Sequence, residues 1–540
     1  MNSTAGFGCK GVTQCTQENL LFCPRRRLSL LPNRVILSAI TGEAEKLIRR
    51  HQKYLSDLAA NIRRKERRSG LTIAKTMYMP RYWSVDKGFN PYYVKAHAAG
   101  IAYAIDKALA SGHYKPRPAT KYSVPKADGG LREVSVFQIA DNAVSNLTFN
   151  RLIEKNARHL SAHAYAYRKD LTVHDAVLHV YSDFETKSRI FVAEFDFRKF
   201  FDSISHEHIR RVLGNKRFFL TERERKVIDA FLRAPSLEME GYSRETTMER
   251  DRGIPQGTSI SLFLANVAAY PLDRKLEQLG VGFARYADDT LIWAESYDVA
   301  CRAVNALEET ALEMGVELNF RKSEGISILC PEDLPAEFKS KSAISFVGYQ
   351  IGAKIISIRT AKVEQVKKWM SYLIYSNLLQ SPKAGHVLVQ RVSQGIDRDY
   401  VIMLAQIRRY LYGELSESQL RKYMARQTPL MRYHGLMSFY PIVNDEGLLK
   451  ALDGWLLNSV HRALKVRAKL FRKAGLTLLP PPHGKSKMEL LKLSYRPRPG
   501  QFVDLRFPSI ARVARLMRRA STTYGASAIA NPKAQAYYSS

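Results

Sequence analysis

Cysteine is scarce in this chain, with 5 in 540 residues, and no two of them have C-x-x-C spacing. That scarcity argues against a zinc finger, because a structural zinc site needs closely paired ligands. The odd number and sparse spread are typical of a protein in a reducing cytoplasm, which is the compartment we expect. Cys9, Cys15 and Cys23 lie near one another. Two alternatives therefore stay open for these three cysteines: a metal site, or three free thiols.

Long apolar runs are also lacking. No stretch approaches the roughly 20 apolar residues that a membrane-spanning helix needs, so we expect no membrane partner. The short apolar stretch at 20–22 is followed by Pro24 and three arginines. It therefore lacks the apolar core of a signal peptide.

Acidic residues are few relative to basic ones. Lys and Arg number 84 against 51 Asp and Glu, which gives a formal net charge of +33. An excess of this size indicates a polyanionic partner, with nucleic acid as the first candidate and a membrane surface as the second. The basic run IRRKERR at 62–68 can contact phosphates or form a solvated helix face.

Periodicity divides the rest of the chain into helices and strands. Residues 1–40 lack a clear period, and 138–186 are mostly helical in pattern. Further helical patterns cover 41–68, 90–112, 206–235, 257–280, 297–314 and most of 360–475. Strand patterns cover 189–197 and 345–351, and hairpins are predicted at 121–137 and 283–294.

Three carboxylates stand out at predicted strand ends. Asp288 and Asp289 lie together in the hairpin FARYADDTLIWA, and Asp196 ends the strand RIFVAEFDF. Each is ordinary alone, because acids are common in turns and at strand ends. Together in a basic protein they suggest a site for hard divalent cations such as magnesium. Two ions about 3.5–4 Å apart can activate a hydroxyl and stabilise a leaving pyrophosphate.

Six segments between 121 and 351 resemble, in order, the motifs of reverse transcriptases. The resemblance rests on the order of all six motifs and on no single one, because a four-residue Y-x-D-D motif recurs by chance. They are VPKADGGLREV (124–134), AEFDFRKFFDSI (193–204), GIPQGTSISLFLAN (253–266), YADD (286–289), ELNFRKS (317–323) and FVGYQ (346–350).

This resemblance implies an α+β, right-hand polymerase fold. It would consist of fingers, a palm whose antiparallel sheet carries the catalytic hairpin, and a helical thumb. We expect an N-terminal arm and basic helix over 1–70, fingers and palm over 71–359, a basic thumb over 360–475, and a C-terminal extension over 476–540.

The resemblance also implies roles for single residues. Asp196, Asp288 and Asp289 would be catalytic and hold two Mg²⁺ ions, for which Mn²⁺ can substitute. Tyr286 would pack beneath the turn, and Asp202 would be structural. The residues expected to bind the incoming dNTP are Lys126, Arg132, Phe201, Gln256, Gly257 and Lys322.

Each of the nucleotide contacts has an ordinary alternative. Phe201 matches the ring that crowds a ribose 2′-hydroxyl, and it can instead be a core residue. Lys126 and Arg132 match basic residues that hold the triphosphate, and each can be a solvated hairpin edge. Lys322 matches a lysine that assists proton transfer to pyrophosphate, and a surface lysine is the alternative.

The basic helix VHRALKVRAKLFRK at 460–473 is expected to grip the template–primer duplex by its phosphates. Its predicted nucleic-acid contacts are Arg462, Lys465, Lys469, Arg472 and Lys473, with a solvated basic face as the alternative. Tyr524, Tyr537 and Tyr538 are candidates for protein priming through a tyrosine hydroxyl. A C-terminal tail without such a role is the simpler alternative for the last two.

Within the family, the chain looks most like the bacterial abortive-infection and defence-associated enzymes. That likeness rests on the segment before 126 and on PQGTSISLFLANV. It implies antiphage defence, an RNA template that is a non-coding RNA, a DNA product and dNTP substrates; a homo-oligomer stays open. The alternatives are a group II intron-like enzyme, an untemplated or protein-primed DNA polymerase, an RNA-templated RNA polymerase, and a catalytically silent RNA-binding scaffold.

Overall fold

A computed structural model describes most of the chain. The described residues are 33–125, 130–187, 190–246, 248–319, 323, 325–330, 339–392, 395–413, 417–428, 433–495 and 503–530. Lys126, Lys322, Tyr537 and Tyr538, each predicted to have a role, lie outside them. No helix among the described residues is long and apolar enough to cross a membrane.

The N-terminal part is mostly helical and carries one hairpin. Its elements are α1 (Arg34–Ser69), α2 (Pro91–Ala96), α3 (Ala98–Ser111), β1 (Ala119–Pro125), β2 (Leu131–Val136), α4 (Ile139–Asn156) and α5 (Val173–Glu185). β1 and β2 pair antiparallel, as the hairpin at 121–137 predicted. The single helix predicted over 90–112 is wrong, because the segment breaks into α2 and α3. The break falls at His97, whose ring stacks on Tyr93 and whose Nδ1 lies 2.9 Å from the Tyr93 carbonyl oxygen.

The middle of the chain builds a central sheet covered by helices. Its elements are β3 (Ile190–Phe195), β4 (Phe197–Arg198), α6 (Phe200–Ser203), α7 (His206–Leu213), α8 (Glu222–Arg233), β5 (Ser236–Leu237), α9 (Ser259–Leu279), β6 (Gly282–Tyr286), β7 (Asp289–Ala294), α10 (Tyr297–Met314), β8 (Glu317–Leu318), β9 (Gly325–Leu329) and β10 (Ser340–Lys341). The sheet order is β10-β9-β3-β7-β6, and β3 pairs antiparallel with both β7 and β9.

A small three-stranded sheet follows, made of β11 (Ala343–Phe346), β12 (Tyr349–Gly352) and β13 (Ile356–Ile358). The single strand predicted over 345–351 is wrong. Val347 and Gly348 have φ of 41° and 83°, so they form a tight turn between two paired strands. Two consecutive residues with positive φ are what a two-residue hairpin turn of type I′ requires.

The C-terminal part is helical, as the pattern over 360–475 predicted. Its elements are α11 (Thr360–Ile374), a π-helical turn (Tyr375–Leu379), α12 (Gln380–Lys383), α13 (Arg398–Tyr412), α14 (Glu417–Met424), α15 (Glu446–Lys473), α16 (Lys487–Lys492), β14 (Ser494–Tyr495), β15 (Val503–Asp504), α17 (Ile510–Tyr524) and α18 (Ala526–Ile529). Asp453 of α15 caps α17 by accepting from the Ser509 hydroxyl at 2.7 Å and the Ile510 amide at 2.6 Å. The last helices therefore share the core of the helical region.

Two hydrophobic cores lie on opposite faces of the central sheet. Phe191 and Phe195 of β3 belong to the core that α4, α9 and α10 complete. Val192, between them, belongs to the core that α5, β12 and the C-terminal helices complete. This alternation is that of a strand buried on both faces, and it brings the acidic end of β3 to the side of the C-terminal helices. The expected α+β class is confirmed.

Candidate active site

The hairpin of β6 and β7 presents the paired aspartates. Tyr286 pairs with Asp289, so Ala287 and Asp288 form a two-residue loop. Ala287 has φ of 62°, a conformation that costs a residue with a Cβ roughly 1–3 kcal/mol. Tyr286 is buried in the core under the turn, as predicted. The surrounding packing therefore holds a strained turn that fixes where Asp288 points.

Asp196 meets this hairpin across the sheet. Phe195 of β3 pairs with Thr290 of β7, so the next residues outward, Asp196 and Asp289, face each other at the end of the ladder. Opposed residues on antiparallel strands have Cβ atoms about 4.5–5.5 Å apart. The Asp196 carboxylate also accepts from Asn319 Nδ2 at 3.2 Å. Strand register thus brings together the three acids that the sequence separates by about ninety residues.

The electrostatics of Asp289 reflect this crowding. Burial raises the pKa of Asp289 to about 7, and the negative charges of Asp288 and Asp196 add to the rise. Glu194, on the same face of β3, acts in the same direction, whereas Arg359 partly opposes the rise. The Asp289 residue is open to solvent on one side, and the charges of the neighbouring carboxylates oppose its ionisation.

The donor set fits a hard divalent cation. A carboxylate whose pKa is raised by two like charges gains most from a positive ion placed among them. Among the described residues no group of three or more Asp, Glu, His or Cys side chains is placed so that it could hold a metal ion. Magnesium does not require one, since it is commonly held by one or two carboxylates together with water and substrate phosphates. Asp196, Asp288 and Asp289 would supply the protein ligands.

A buried ion pair beneath the turn was missed by the sequence reasoning. Arg285 of β6 is fully buried, and its Nε and Nη2 donate to the Asp273 carboxylate of α9 at 2.7 and 2.6 Å. Its Nη1 donates to the Ala287 carbonyl oxygen at 3.1 Å and to Asn266 at 3.2 Å. The guanidinium therefore ties the strained loop residue to α9. Arginine within the apolar hairpin pattern was the available signal.

Tyr167 is a second residue that the sequence reasoning missed. It lies in the segment after α4 that runs beside β6, where the Tyr165 amide donates to the Arg285 carbonyl at 2.9 Å. Burial raises the pKa of Tyr167 above its usual range, and Asp288 adds to the rise whereas Arg132 reduces it. Its φ of 62° again marks a strained backbone. The segment that carries Tyr167 therefore runs beside β6, whose turn carries Asp288.

Three of the residues predicted to bind the nucleotide, Arg132, Phe201 and Gln256, have the following surroundings. Arg132 is exposed on β2, and its charge lowers the pKa of Tyr167. Phe201 is half-buried and its ring meets Phe200 edge-on at 5.6 Å. Gln256 donates from Nε2 to Asp202 at 3.3 Å, which gives Asp202 the structural contact expected of it. The roles of these residues toward a nucleotide stay predictions.

Gly257 is required by a close backbone approach, although the neighbour is part of the protein. Its φ is 121°, and a Cβ there would lie 2.3 Å from the Ser135 carbonyl oxygen of β2. The Ser135 amide in turn donates to the Gln256 carbonyl at 2.7 Å. The loop of Pro255, Gln256 and Gly257, the P-Q-G loop, therefore docks on the β1–β2 hairpin and sets the distance between that hairpin and the sheet.

The predicted thumb contacts all lie on α15. Arg462, Lys465, Lys469, Arg472 and Lys473 are exposed. Arg467, between them, is buried and paired with Asp397 at 2.7 Å and Asp399 at 2.8 Å. Tyr524, the priming candidate within the described residues, is half-buried with its ring centroid 5.1 Å from that of Tyr423.

Comparisons with known proteins identify the central segment. Residues 124–351 match the family model described as reverse transcriptase (RNA-dependent DNA polymerase). The putative COX1/OXI3 intron 1 protein of Saccharomyces cerevisiae is 28% identical over 173 residues, which is 32% of this chain and 20% of that protein. Protein YkfC of Escherichia coli is 27% identical over 202 residues, 35% of this chain and 49% of that protein.

The chain thus spans between a fifth and about half of the length of these two relatives. Among solved structures, telomerase from Candida albicans with the TWJ fragment of telomeric RNA aligns at a TM-score of 0.36 and 10% identity. That alignment covers 69% of this chain and 66% of the telomerase chain. The family match, over the motifs that assemble the acidic site, decides the assignment. The segment 124–351 belongs to the reverse transcriptase family.

Proposed function

We propose that this protein is an RNA-directed DNA polymerase that adds deoxynucleotides with two divalent ions, Mg²⁺ in the cell and Mn²⁺ as a substitute. The observation that carries the proposal is the convergence of Asp196, Asp288 and Asp289 at one end of the central sheet. Ions held there would activate the primer 3′-hydroxyl and stabilise the leaving pyrophosphate.

The chain's own residues would position the substrates around that site. Asp196 and Asp288 would be the main metal ligands, with Asp289 completing the acidic cluster. Arg132, reaching in from β2, would bind triphosphate oxygens, as would Lys126 and Lys322. Phe201 would exclude a ribose 2′-hydroxyl, and Gln256 with Gly257 would shape the floor under the nucleotide. The α15 cations would hold the template–primer backbone.

A primer-extension assay on a defined RNA template tests the proposal. Asp288→Asn combined with Asp289→Asn should reduce dNTP incorporation to background, because amides are weaker ligands than carboxylates for magnesium. Asp298→Asn is a matched control, since Asp298 is a 79% exposed acid on α10 paired with Arg302. Full activity in the double variant would refute catalysis at this site, whereas no incorporation by the wild-type protein would favour the silent RNA-binding scaffold.

At a finer level we propose a role in bacterial antiphage defence, in the cytoplasm, with a non-coding RNA as template. Its support is the sequence likeness of the segment before 126 and of PQGTSISLFLANV. An intron-type enzyme is the second candidate, favoured by the intron-encoded relative. Sequencing the RNA and DNA that copurify with the protein distinguishes them. A discrete small RNA with complementary DNA supports defence, whereas intron RNA supports the alternative.

Protein priming and self-association are further parts of this proposal. Priming would need a tyrosine hydroxyl to reach the acidic site, and Tyr524, Tyr537 and Tyr538 are the candidates. Product DNA that changes mobility after protease treatment would support it, and unchanged initiation with phenylalanine at all three positions would exclude it. The layout of arm, fingers and palm, thumb and C-terminal extension, with boundaries at 70, 359 and 475, also remains a proposal.

A further inference from the structure

Three large aromatic side chains lie exposed on one region of the C-terminal helices. Trp369 and Tyr372 of α11 and Tyr375 of the π-helical turn are 47%, 51% and 43% exposed. We call these three residues the aromatic platform. A group of exposed aromatic side chains this large commonly marks an interaction site rather than an unused surface.

The rings of the platform offer flat faces. The centroids of Trp369 and Tyr372 are 5.2 Å apart, and their planes differ by 29°, so the two rings are stacked. Tyr410 of α13 supports Trp369 from the side, with centroids 6.3 Å apart. Lys383 holds its Nζ 5.6 Å from the Tyr375 ring centroid. Such an arrangement keeps aromatic faces in place at small conformational cost.

The backbone around Tyr375 is locked in an unusual form. The helix widens into a π turn, a feature that often accompanies functional sites. Asn377 holds the turn by donating to the Leu373 carbonyl and to Gln406 Oε1, both at 2.7 Å. Arg68, at the end of α1, donates to Asn377 Oδ1 at 2.7 Å and to the Ser376 carbonyl at 2.6 Å.

These Arg68 contacts bring the basic end of α1 to the platform. Arg63, Lys65 and Arg67 are exposed there, and Lys368 and Lys383 are exposed on the platform's own helices. Glu364, an acid on α11, pairs with Lys367 at 2.7 Å. The local charge is therefore positive around flat aromatic faces, the combination with which proteins bind unpaired nucleic acid.

We propose that the aromatic platform stacks the bases of a single-stranded RNA segment, while the exposed cations of α1, α11 and α12 meet its phosphates. Stacking tolerates any base, since each base has a π face, so the site would follow an RNA strand regardless of its sequence. The positive charge around the platform disfavours its association with the same face of a second copy of the protein. The identity of the strand as RNA rests on the proposed function.

Fluorescence anisotropy with a labelled 20-nucleotide oligo(U) tests the proposal. Trp369→Ala with Tyr372→Ala should weaken binding at least tenfold, since two stacking faces are lost. Trp369→Phe should retain most of the affinity because it keeps a flat ring. Tyr103→Ala is the matched control, a 37% exposed tyrosine on α3, and should leave binding unchanged. Binding of a 20-base-pair RNA duplex should not change in any variant.

Three results with these variants would overturn the binding role of the platform. One is unchanged oligo(U) affinity in the double variant, and another is an equal loss for the duplex. The third is a change in the self-association measured by sedimentation with RNA affinity intact, which would make the platform a contact between copies. Oligo(dT) run in parallel shows whether the site prefers ribose, and tighter binding of oligo(dT) would overturn the assignment to RNA.

The same variants separate this site from catalysis. On a primed template with a two-nucleotide overhang, the double variant should extend as wild type does, because no long single strand needs to be held. Failure of wild type to extend would refute the proposed polymerase function and leave the binding result standing. A loss of extension by the variant on this short template would contradict a role confined to strand binding.

Discussion

Asp289 shows how far a single residue can depart from its ordinary chemistry. Its pKa of about 7 means that the folded, metal-free protein favours the protonated acid at pH values where a free aspartate is ionised. Stability from this group is therefore present at pH 4 and is lost as the pH rises through 7. A cation that replaces the proton removes this penalty.

We predict that Asp289→Asn stabilises the metal-free protein at pH 8 and has little effect at pH 4. The amide cannot ionise, so it avoids the repulsion from Asp288 and Asp196. Thermal unfolding in EDTA across this pH range measures the difference. Added Mn²⁺ should raise the melting temperature of wild type and not of the variant. A variant less stable than wild type at pH 8 would contradict this electrostatic account.

The sequence singled out Asp196, Asp288 and Asp289 as candidate catalytic acids because motif order carries that information, whereas it missed residues that matter only through contacts. The apolar hairpin pattern makes an arginine at 285 unusual, but only the fold shows Asp273 beside it. Tyr167 likewise gains its place from the pairing of its segment with β6. The sequence predicted that Asp196 and the hairpin acids share a site, because strand ends and motif order are visible in it, whereas the pairing of β3 with β7 is not.

At the scale of elements, the ion pair between Arg285 of β6 and Asp273 of α9 is the contact that we expect to hold the turn. Arg285→Met leaves the Asp273 charge buried without its partner, which should cost about 3–5 kcal/mol of stability. Arg285→Met with Asp273→Leu should recover most of that loss in urea unfolding, because no buried charge remains. Activity should stay low in both, since the Ala287 carbonyl has lost its donor. Full activity in the double variant would show that the turn is fixed by other contacts.

The contact between the P-Q-G loop and β2 is a second test at this scale. Gly257→Ala places a Cβ 2.3 Å from the Ser135 carbonyl in a backbone conformation that alanine rarely adopts. We expect about 1–3 kcal/mol of destabilisation and lower dNTP incorporation, as the fingers hairpin shifts away.

Gly100→Ala on α3 is the control for this change, since its Cβ would meet nothing within 4 Å. It should stabilise the helix by up to about 1 kcal/mol and leave incorporation unchanged. Equal behaviour of the two variants in urea unfolding would contradict the role given to the loop.

Outer boundaries of elements were predicted well where caps and glycines mark them, whereas breaks inside a predicted element were missed. The helix at 297–314 and the hairpin at 283–294 are confirmed. The strand predicted at 345–351 failed because Val347 adopts a positive φ that its residue type disfavours. The helix at 90–112 failed because the backbone leaves helical geometry at His97, which periodicity does not reveal.

For the molecule as a whole, the charge of +33 predicts a steep dependence of nucleic-acid affinity on salt. Each phosphate neutralised contributes about 0.7–0.9 to the slope of log affinity against log salt. Replacing Lys465, Lys469 and Arg472 with glutamine should therefore lower the slope by about 2–3, as measured by anisotropy with an RNA–DNA duplex.

Lys46, Arg49 and Arg302 provide the control, because each is already paired with a carboxylate. Glutamine at these three positions should change the slope by less than about 1. An equal reduction in both triple variants would mean that overall charge, and no particular face of α15, governs binding.

The most direct test of the account is sequencing of what the purified protein makes on a defined RNA template with all four dNTPs and Mg²⁺. We predict DNA complementary to that RNA, no product with NTPs, and none from the Asp288→Asn, Asp289→Asn variant. Product from NTPs, DNA unrelated to the template, or DNA made without the carboxylates would contradict RNA-directed DNA synthesis at this site.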